Sequence, residues 1–387
     1  MLNCLLLVLA FTLNMAQGGL PILSERAEIS VITCGPGEME AFTAYGHSAM
    51  RVIDPIHNID RVYNYGTFDF STPNFYGKFA TGRLNYMLGV SSYDRFMNEY
   101  IREGRWVKEQ ILALEPQEKQ AVFAFLETNY LPQNRFYRYD FFYDNCATKI
   151  IEVLERVLPN PILYDTTQME EITFREMIRR YQAPFKWTDF GVDIALGSVI
   201  DQPMKFNDFF FLPDYVYQGL AGAQYNGRNL VKHTQDLNKQ KCPFGLELTF
   251  TPGLFIGILF FISTFITLND YRGKKISRWF DFIVFSLSGL VGILILWLWF
   301  GTLHTATDKN FNLLWANPLM LPLAIIILTK ASGRSWFYSM VLATGILVAV
   351  GMLGSFFLPQ SYHPLFYPIM LILLMRLGLW YYKGQRD

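Results

Sequence analysis

The sequence predicts an α+β globular domain followed by an all-α membrane bundle of five spans, and three observations carry that prediction. Hydrophobic residues make up 51 % of the 387 but are unevenly placed. From about Pro252 to Tyr382 they form a series of long apolar runs, each near the ~20 residues that cross a bilayer. The part before is rich in Tyr and Phe and carries strand-like segments first and helical spacing later. Formal net charge is zero, so no nucleic acid or other polyanionic partner is expected.

Taken in order, segment 1–19 is apolar, with small residues (Ala16, Gly18, Gly19) near its end, as in a secretory signal. It lacks Lys and Arg ahead of the apolar run, and an uncleaved anchor is the rival reading. Export of the following domain, 20–250, is expected. Residues 28–35 read as a strand ending at a Gly-Pro-Gly turn, and 47–53 as a second. Asp54-Pro55-Ile56-His57-Asn58 has turn chemistry, and 59–65 forms the third strand, completing a hairpin. Aromatic strand-like segments continue to about 114. Pro116 opens a helix to about Tyr130, with Phe123, Leu126 and Tyr130 on one stripe. The aromatic run 136–143 follows. Beyond Cys146, residues Ile150, Ile151, Leu154, Val157 and Leu158 keep helical spacing. Asp144 or Asn145 serves as N-cap. Cys146 is thereby placed in a first helical turn, where a thiol pKa falls. The remainder, to about 250, has no assignable job.

The membrane part, 251–387, divides into spans at about 252–269, 280–300, 311–329, 336–358 and 364–382. The third is interrupted by Asn312, Asn317 and two prolines. Arg272, Lys274, Lys275 and Arg278 lie in the first connecting loop, Lys330 and Arg334 in the third, and Lys383 and Arg386 in the tail; the loops between carry only Lys309. Basic loops stay in the cytoplasm, so 20–250, 301–310 and 359–363 lie outside. The stretch 301–317 is far more polar than a connection requires. It reads either as an interfacial loop anchored by Trp315 or as a substrate-contacting lid, with His304, Asp308, Asn310 and Trp315 as candidate binding residues.

Two motifs carry chemistry: Tyr45-Gly46-His47-Ser48 at a strand start, and Tyr143-Asp144-Asn145-Cys146-Ala147-Thr148-Lys149 at a helix start. A thiol nucleophile needs a base, and the base needs an orienting group. With the hairpin turn centred between Pro55 and Ile56, His47 pairs directly with Asn64, and opposed residues share a face. A register change of one residue substitutes Tyr63 or Tyr65; Asp69 is a further candidate. Tyr45, Tyr65, Tyr143 and Asn145 flank the two motifs as candidate substrate-binding residues. The competing readings are a buried structural thiol and a core histidine, against which the polar setting of Cys146 argues. Setting aside Cys4 in the leader, three cysteines remain, and a Cys34–Cys242 disulfide is the pairing that leaves Cys146 free. No Cys-x-x-Cys or His-x-x-x-His spacing points to a metal, and no cofactor is expected.

An early Gly-His on a strand and a late Asn-Cys opening a helix resemble the circularly permuted papain-like fold of the NlpC type. Thr33-Cys34-Gly35-Pro36-Gly37, Tyr45 to Val52, Tyr63 to Phe70 and Tyr143 to Lys149, followed by several spans, resemble the bacterial lipoprotein N-acyltransferase family Lnb over the whole chain. The resemblance implies transfer of an acyl chain from a membrane phospholipid, through a Cys146 thioester, to the α-amino group of a diacylglyceryl-cysteine lipoprotein. It implies an inner-membrane protein with its catalytic domain in the periplasm, and His47 and Cys146 as the dyad. Rival functions are a membrane-anchored cysteine peptidase or amidase acting on cell-wall peptides, and a non-enzymatic envelope scaffold or transporter.

Overall fold

The computed structural model describes residues 19–37, 41–167, 170–240, 250–273 and 275–384. Nearly all of the leader lies outside the described residues, as do Lys274, Arg386 and Cys242, and with Cys242 the expected disulfide. Cys34 is a buried free thiol.

Strands β1 (Glu28–Cys34), β2 (His47–Asp54), β3 (Ile59–Thr67), β4 (Asn85–Ser92), β5 (Val107–Leu112), β6 (Phe136–Arg138) and β7 (Val231–Asn238) form a seven-stranded sheet of order β6-β4-β3-β2-β1-β5-β7. Every neighbouring pair is antiparallel. Strand side chains alternate between faces, and helices cover both. The helices before the membrane part are α1 (Phe75–Ala80), α2 (Tyr93–Arg102), α3 (Pro116–Tyr130), α4 (Cys146–Val157), α5 (Phe174–Gln182), α6 (Lys186–Ala195) and α7 (Pro213–Gly222). On one face Phe96, Met97 and Tyr100 of α2 pack on Ile32, Cys34, Ala49 and Val62. On the other, Ile150, Val153 and Leu154 of α4 meet Met50, Val52 and Tyr63, with α3 and α7 completing the layer.

The β2–β3 hairpin differs from expectation in register. Asp54 pairs Ile59 and Met50 pairs Tyr63, so the turn centres between Ile56 and His57, one position later than expected. Asn58, at φ 54°, takes the left-handed conformation that closes the four-residue connection. The hairpin ladder ends at Met50–Tyr63. Beyond it, Cys34 to Thr33 hold His47 and Ser48 on β1, whereas Asn64 and Thr67 pair Gly89 and Met87 of β4. The sheet therefore forks between 47–49 and 64–66.

The membrane part comprises α8 (Pro252–Arg272), α9 (Arg278–Gly301), α10 (Met320–Ile326), α11 (Ser335–Gly354) and α12 (Phe366–Gly384). Among the described residues three helices are long and apolar enough to cross a membrane: α8, α9 and α11. The expected third span is not a continuous helix. Phe311–Leu314 makes a 3-10 turn and helix resumes only at Met320, because Asn310 and Asn312 bond outside the segment and Pro318 lacks the N–H that a helix needs there. The expected fifth span is α12, of 19 residues. Its fully buried Arg376 is paired with Asp270 and Asp281, the pairing a buried charge needs.

The two parts dock through the loops expected to lie outside. Asn310 Nδ2 donates to Ile194 O (2.8 Å) and Ala195 O (3.0 Å), and Asn312 Nδ2 to Asp193 O (3.2 Å). Gly197 N–H donates to Ala306 O and Ser198 N–H to Lys309 O. From the other loop, Gln360 Nε2 reaches Leu196 O, and Arg179 grips Ser361. Gly197 permits this approach: a Cβ there would stand 1.8 Å from Asp308 O. Beneath the seam, buried Arg175 binds Asp193, Asp201 and the carbonyls of Leu196 and Gly197.

Candidate active site

Cys146 enters the fork of the sheet as the first residue of α4. Asn145 sets the start of that helix. Its Oδ1 accepts from the N–H groups of Ala147 (2.8 Å) and Thr148 (2.9 Å), and the Thr148 hydroxyl accepts from Asn145 N–H in return, a reciprocal cap. The Asn145 amide also donates to Phe141 O and Phe211 O, both at 2.7 Å. Asn145 is buried and holds the helix start in place. Gly66 borders the thiol on the β3 side: a Cβ there would lie 3.5 Å from that of Cys146, and its φ of +88° is one that side chains rarely adopt. On the β2 side the Ser48 backbone N–H is close enough to favour the Cys146 thiolate.

His47 Nε2 lies 2.6 Å from Asn64 Oδ1. The two-residue change in register preserves strand parity, so Asn64 stays on the His47 face as a diagonal neighbour instead of the direct partner. The imidazole stacks on Tyr100 of α2 (6.3 Å between centroids, 11° between planes), and the Arg105 guanidinium also lies over that ring, 4.6 Å from its centroid. Arg105 is held by Gly35 O and Glu103. Cys34 pairs with His47 across β1 and β2 and lies on this same face.

Electrostatics favours uncharged groups here. Burial pushes the Cys146 thiol up to about 11, against the N–H groups of Ser48, Cys146 and Ala147 and the charge of Arg105, which favour thiolate. Burial also pushes His47 down to about 4; the Asn64 bond opposes this and Arg105 adds to it. The expected lowering of the thiol by the helix start is present as a contribution but is outweighed by desolvation. A neutral thiol and a neutral imidazole are the resting forms at neutral pH. An imidazole whose Nε2–H is held by an amide oxygen keeps Nδ1 as its acceptor.

The other sequence candidates divide. Tyr45 is buried beside the site's α5 wall, its hydroxyl accepting from Gln182 (2.8 Å) and its ring edge-on to Phe141. Tyr65 points to the α4 core and donates to Asn129 (2.6 Å). Tyr143 is exposed and packs on Phe174. Asp69 is exposed and accepts from Ser71 N–H. In the outer loop, His304 meets Ala80 O (3.2 Å), and the Asp308 backbone abuts Gly197. Asn310 is engaged with 194–195, and Trp315 donates to Asn312 and packs on Phe366. Asn310 is thus used by the docking seam, and Trp315 by packing within the membrane part. Ser48 N–H, Tyr100 and Arg105 were not foreseen. A backbone donor has no sequence signature, and the other two reach the site through sheet order. Tyr139, from the aromatic run 136–143, borders Gly66.

Residues 24–180 match the family model described as the Lnb N-terminal periplasmic domain, and residues 245–387 match that described as the Lnb transmembrane domain. No curated protein and no solved structure matches the chain. The two family matches follow each other in the order of the sheet domain and the helical part, which makes this a membrane protein whose catalytic domain lies in the periplasm. The chain belongs to the Lnb family of lipoprotein N-acyltransferases.

Proposed function

We propose that Cys146 is the nucleophile of a two-step acyl transfer, with His47 as its base and Asn64 as the group that orients the base. The observation that carries this reading is the 2.6 Å contact between His47 Nε2 and Asn64 Oδ1 in the fork that receives Cys146. In the first step His47 Nδ1 takes the thiol proton while Sγ attacks the ester carbonyl of a membrane phospholipid. The N–H groups of Cys146 and Ser48 are the donors for the oxyanion. The ester C–O bond breaks, the lysophospholipid oxygen takes the proton from His47, and an acyl thioester remains. In the second step the α-amino group of a diacylglyceryl-cysteine lipoprotein attacks the thioester. His47 accepts the amine proton, the C–S bond breaks, and the thiolate recovers the proton as the amide is released. The aromatic residues of 136–143 keep water from competing with the amine.

The placement of base and nucleophile supports a circularly permuted papain-like, NlpC-type assignment for 20–250. The contacts of the membrane part support five crossings of the inner membrane by 251–387. Loops 301–310 and 359–363 both touch the globular domain, so the chain between them crosses twice, once as α11 and once through the broken segment 311–326. Lys383 of α12 donates to Gly273 O at the far end of α8, which supports α12 as the last crossing.

The test uses the full chain in vesicles of isotopically labelled phospholipid. Mass spectrometry of the intact protein is expected to show one labelled acyl group, absent in Cys146→Ala, and the label is expected on the α-amine of an added diacylated lipopeptide. Cleavage of cell-wall peptides without an acyl adduct would favour a peptidase and reject the transferase mechanism.

A further inference from the structure

Several aromatic side chains beside the sheet have no part in the two-step scheme. Phe70, Tyr76 and Phe79 are 71 %, 80 % and 47 % exposed. The last two belong to α1, whose end is bonded to the chain just past α9: Leu303 N–H donates to Thr81 O (2.9 Å), and His304 Nε2 lies 3.2 Å from Ala80 O. Helix α9 has 24 residues; that is about 36 Å, against a hydrocarbon core of ~30 Å. Its outer end, and α1 bonded to it, therefore stand at headgroup level, where aromatic rings are favoured. Phe300 and Leu303 are exposed at the same end.

From that level the rings run inward without a break. Phe79 stacks with Phe75 (6.3 Å), Phe75 meets Phe68 (5.5 Å), and Phe68 is edge-on to Tyr86 (5.4 Å). Tyr86 stacks on Tyr139 at 4.3 Å. Tyr139 and Cys146 both border Gly66. Asp140, the next residue, accepts from the Thr305 hydroxyl at 2.7 Å, so the inner end of the strip is also tied to the loop that follows α9.

We propose that this strip is the entry path for the acyl donor: an acyl chain of an outer-leaflet phospholipid lies along Phe79, Phe75, Phe68 and Tyr86 while its ester carbonyl reaches Cys146. The inference rests on the phospholipid-donor reading above. A carbonyl drawn from the headgroup boundary to a thiol inside the periplasmic domain brings acyl methylenes out of the bilayer, and these need an apolar cover along the way. The rings supply that cover, and their continuity with the end of a membrane helix selects a lipid as the occupant.

The test compares the wild-type chain with a Tyr76→Ser/Phe79→Ser variant, changed only at exposed positions, both in phospholipid vesicles. Thioester formation is measured from the vesicle lipid and from a water-soluble short-chain acyl thioester. The ratio of membrane-donor to soluble-donor rate is expected to fall about tenfold or more in the variant. A phospholipid carrying a diazirine on its acyl chain is expected to crosslink to the 68–86 region in the wild type. An unchanged ratio, or crosslinks confined to other segments, would overturn the entry path. Absence of any thioester in the wild type would count against the acyl-transfer mechanism instead, while the crosslinks would still decide the path.

Discussion

A thiol near 11 and an imidazole near 4 make an uncharged pair, and the pH behaviour follows from that. Only on the order of one Cys146 in 10⁴ is thiolate at pH 7, so alkylation by iodoacetamide is expected to be slow and to climb steadily toward pH 11. With His47 as the proposed base, thioester formation requires it unprotonated. Because its pKa is lowered, the acid limb is expected near pH 4, below the 6.5 of an ordinary histidine. Asn64→Asp sets a carboxylate against Nε2, stabilises imidazolium and raises that pKa, so the limb should move up toward neutrality. Single-turnover rates across pH check both, and a limb that stays in place would remove Asn64 from the orienting role. The contact between His47 and Asn64 was legible because strand parity survives a two-residue error in register, and the helix start at Cys146 because its cap lies beside it in the sequence. Arg105 and Tyr100 were not: they reach His47 from the far side of β1 and from α2, a pairing that no local pattern records.

At the scale of elements, α4 is a carrier for one side chain, and Asn145 is what fixes its start. Asn145→Ala leaves two N–H groups and two carbonyls without their partner. A cap is worth about 1 kcal/mol and each buried unpaired group about as much again, so a loss of about 2–4 kcal/mol is expected. Thermal unfolding in detergent measures it. The first three strands and the helices at 116–130 and 146–157 were legible to within two residues, since each carries its own turn, cap or stripe. Strand β7 was missed. Val231–Asn238 is mostly polar, lies at the sheet edge, and pairs with β5 more than a hundred positions earlier. The break in the third span was legible as an interruption, but its cause was not: Asn312 bonds to the backbone of Asp193 and Ile194 in the other domain, a partner that composition does not record.

For the whole molecule, the proposed mechanism makes the docking seam responsible for bringing the thiol to the lipid. Gly197→Val drives a side chain into Asp308 O. A displacement of an ångström at a reacting centre costs about a hundredfold, so transfer from vesicle lipid should fall by about that much. Cys146 alkylation at high pH should persist, because the fork itself is untouched. Equal loss of both would show that the seam supports the site's folding instead of its aim. The same seam joins residues far apart in the chain: Asn310 bonds to Ile194 across 116 positions, and Arg179 to Ser361 across 182. During synthesis the periplasmic domain leaves the ribosome well before either loop has been inserted. Its lower surface must wait for partners: the Gly197 backbone for Ala306, just past α9, and Leu196 O for Gln360, which follows α11. A chain that stopped at the end of α9 would thus carry an exported domain whose seam lacks the partners supplied by residues 306–312 and 360–361.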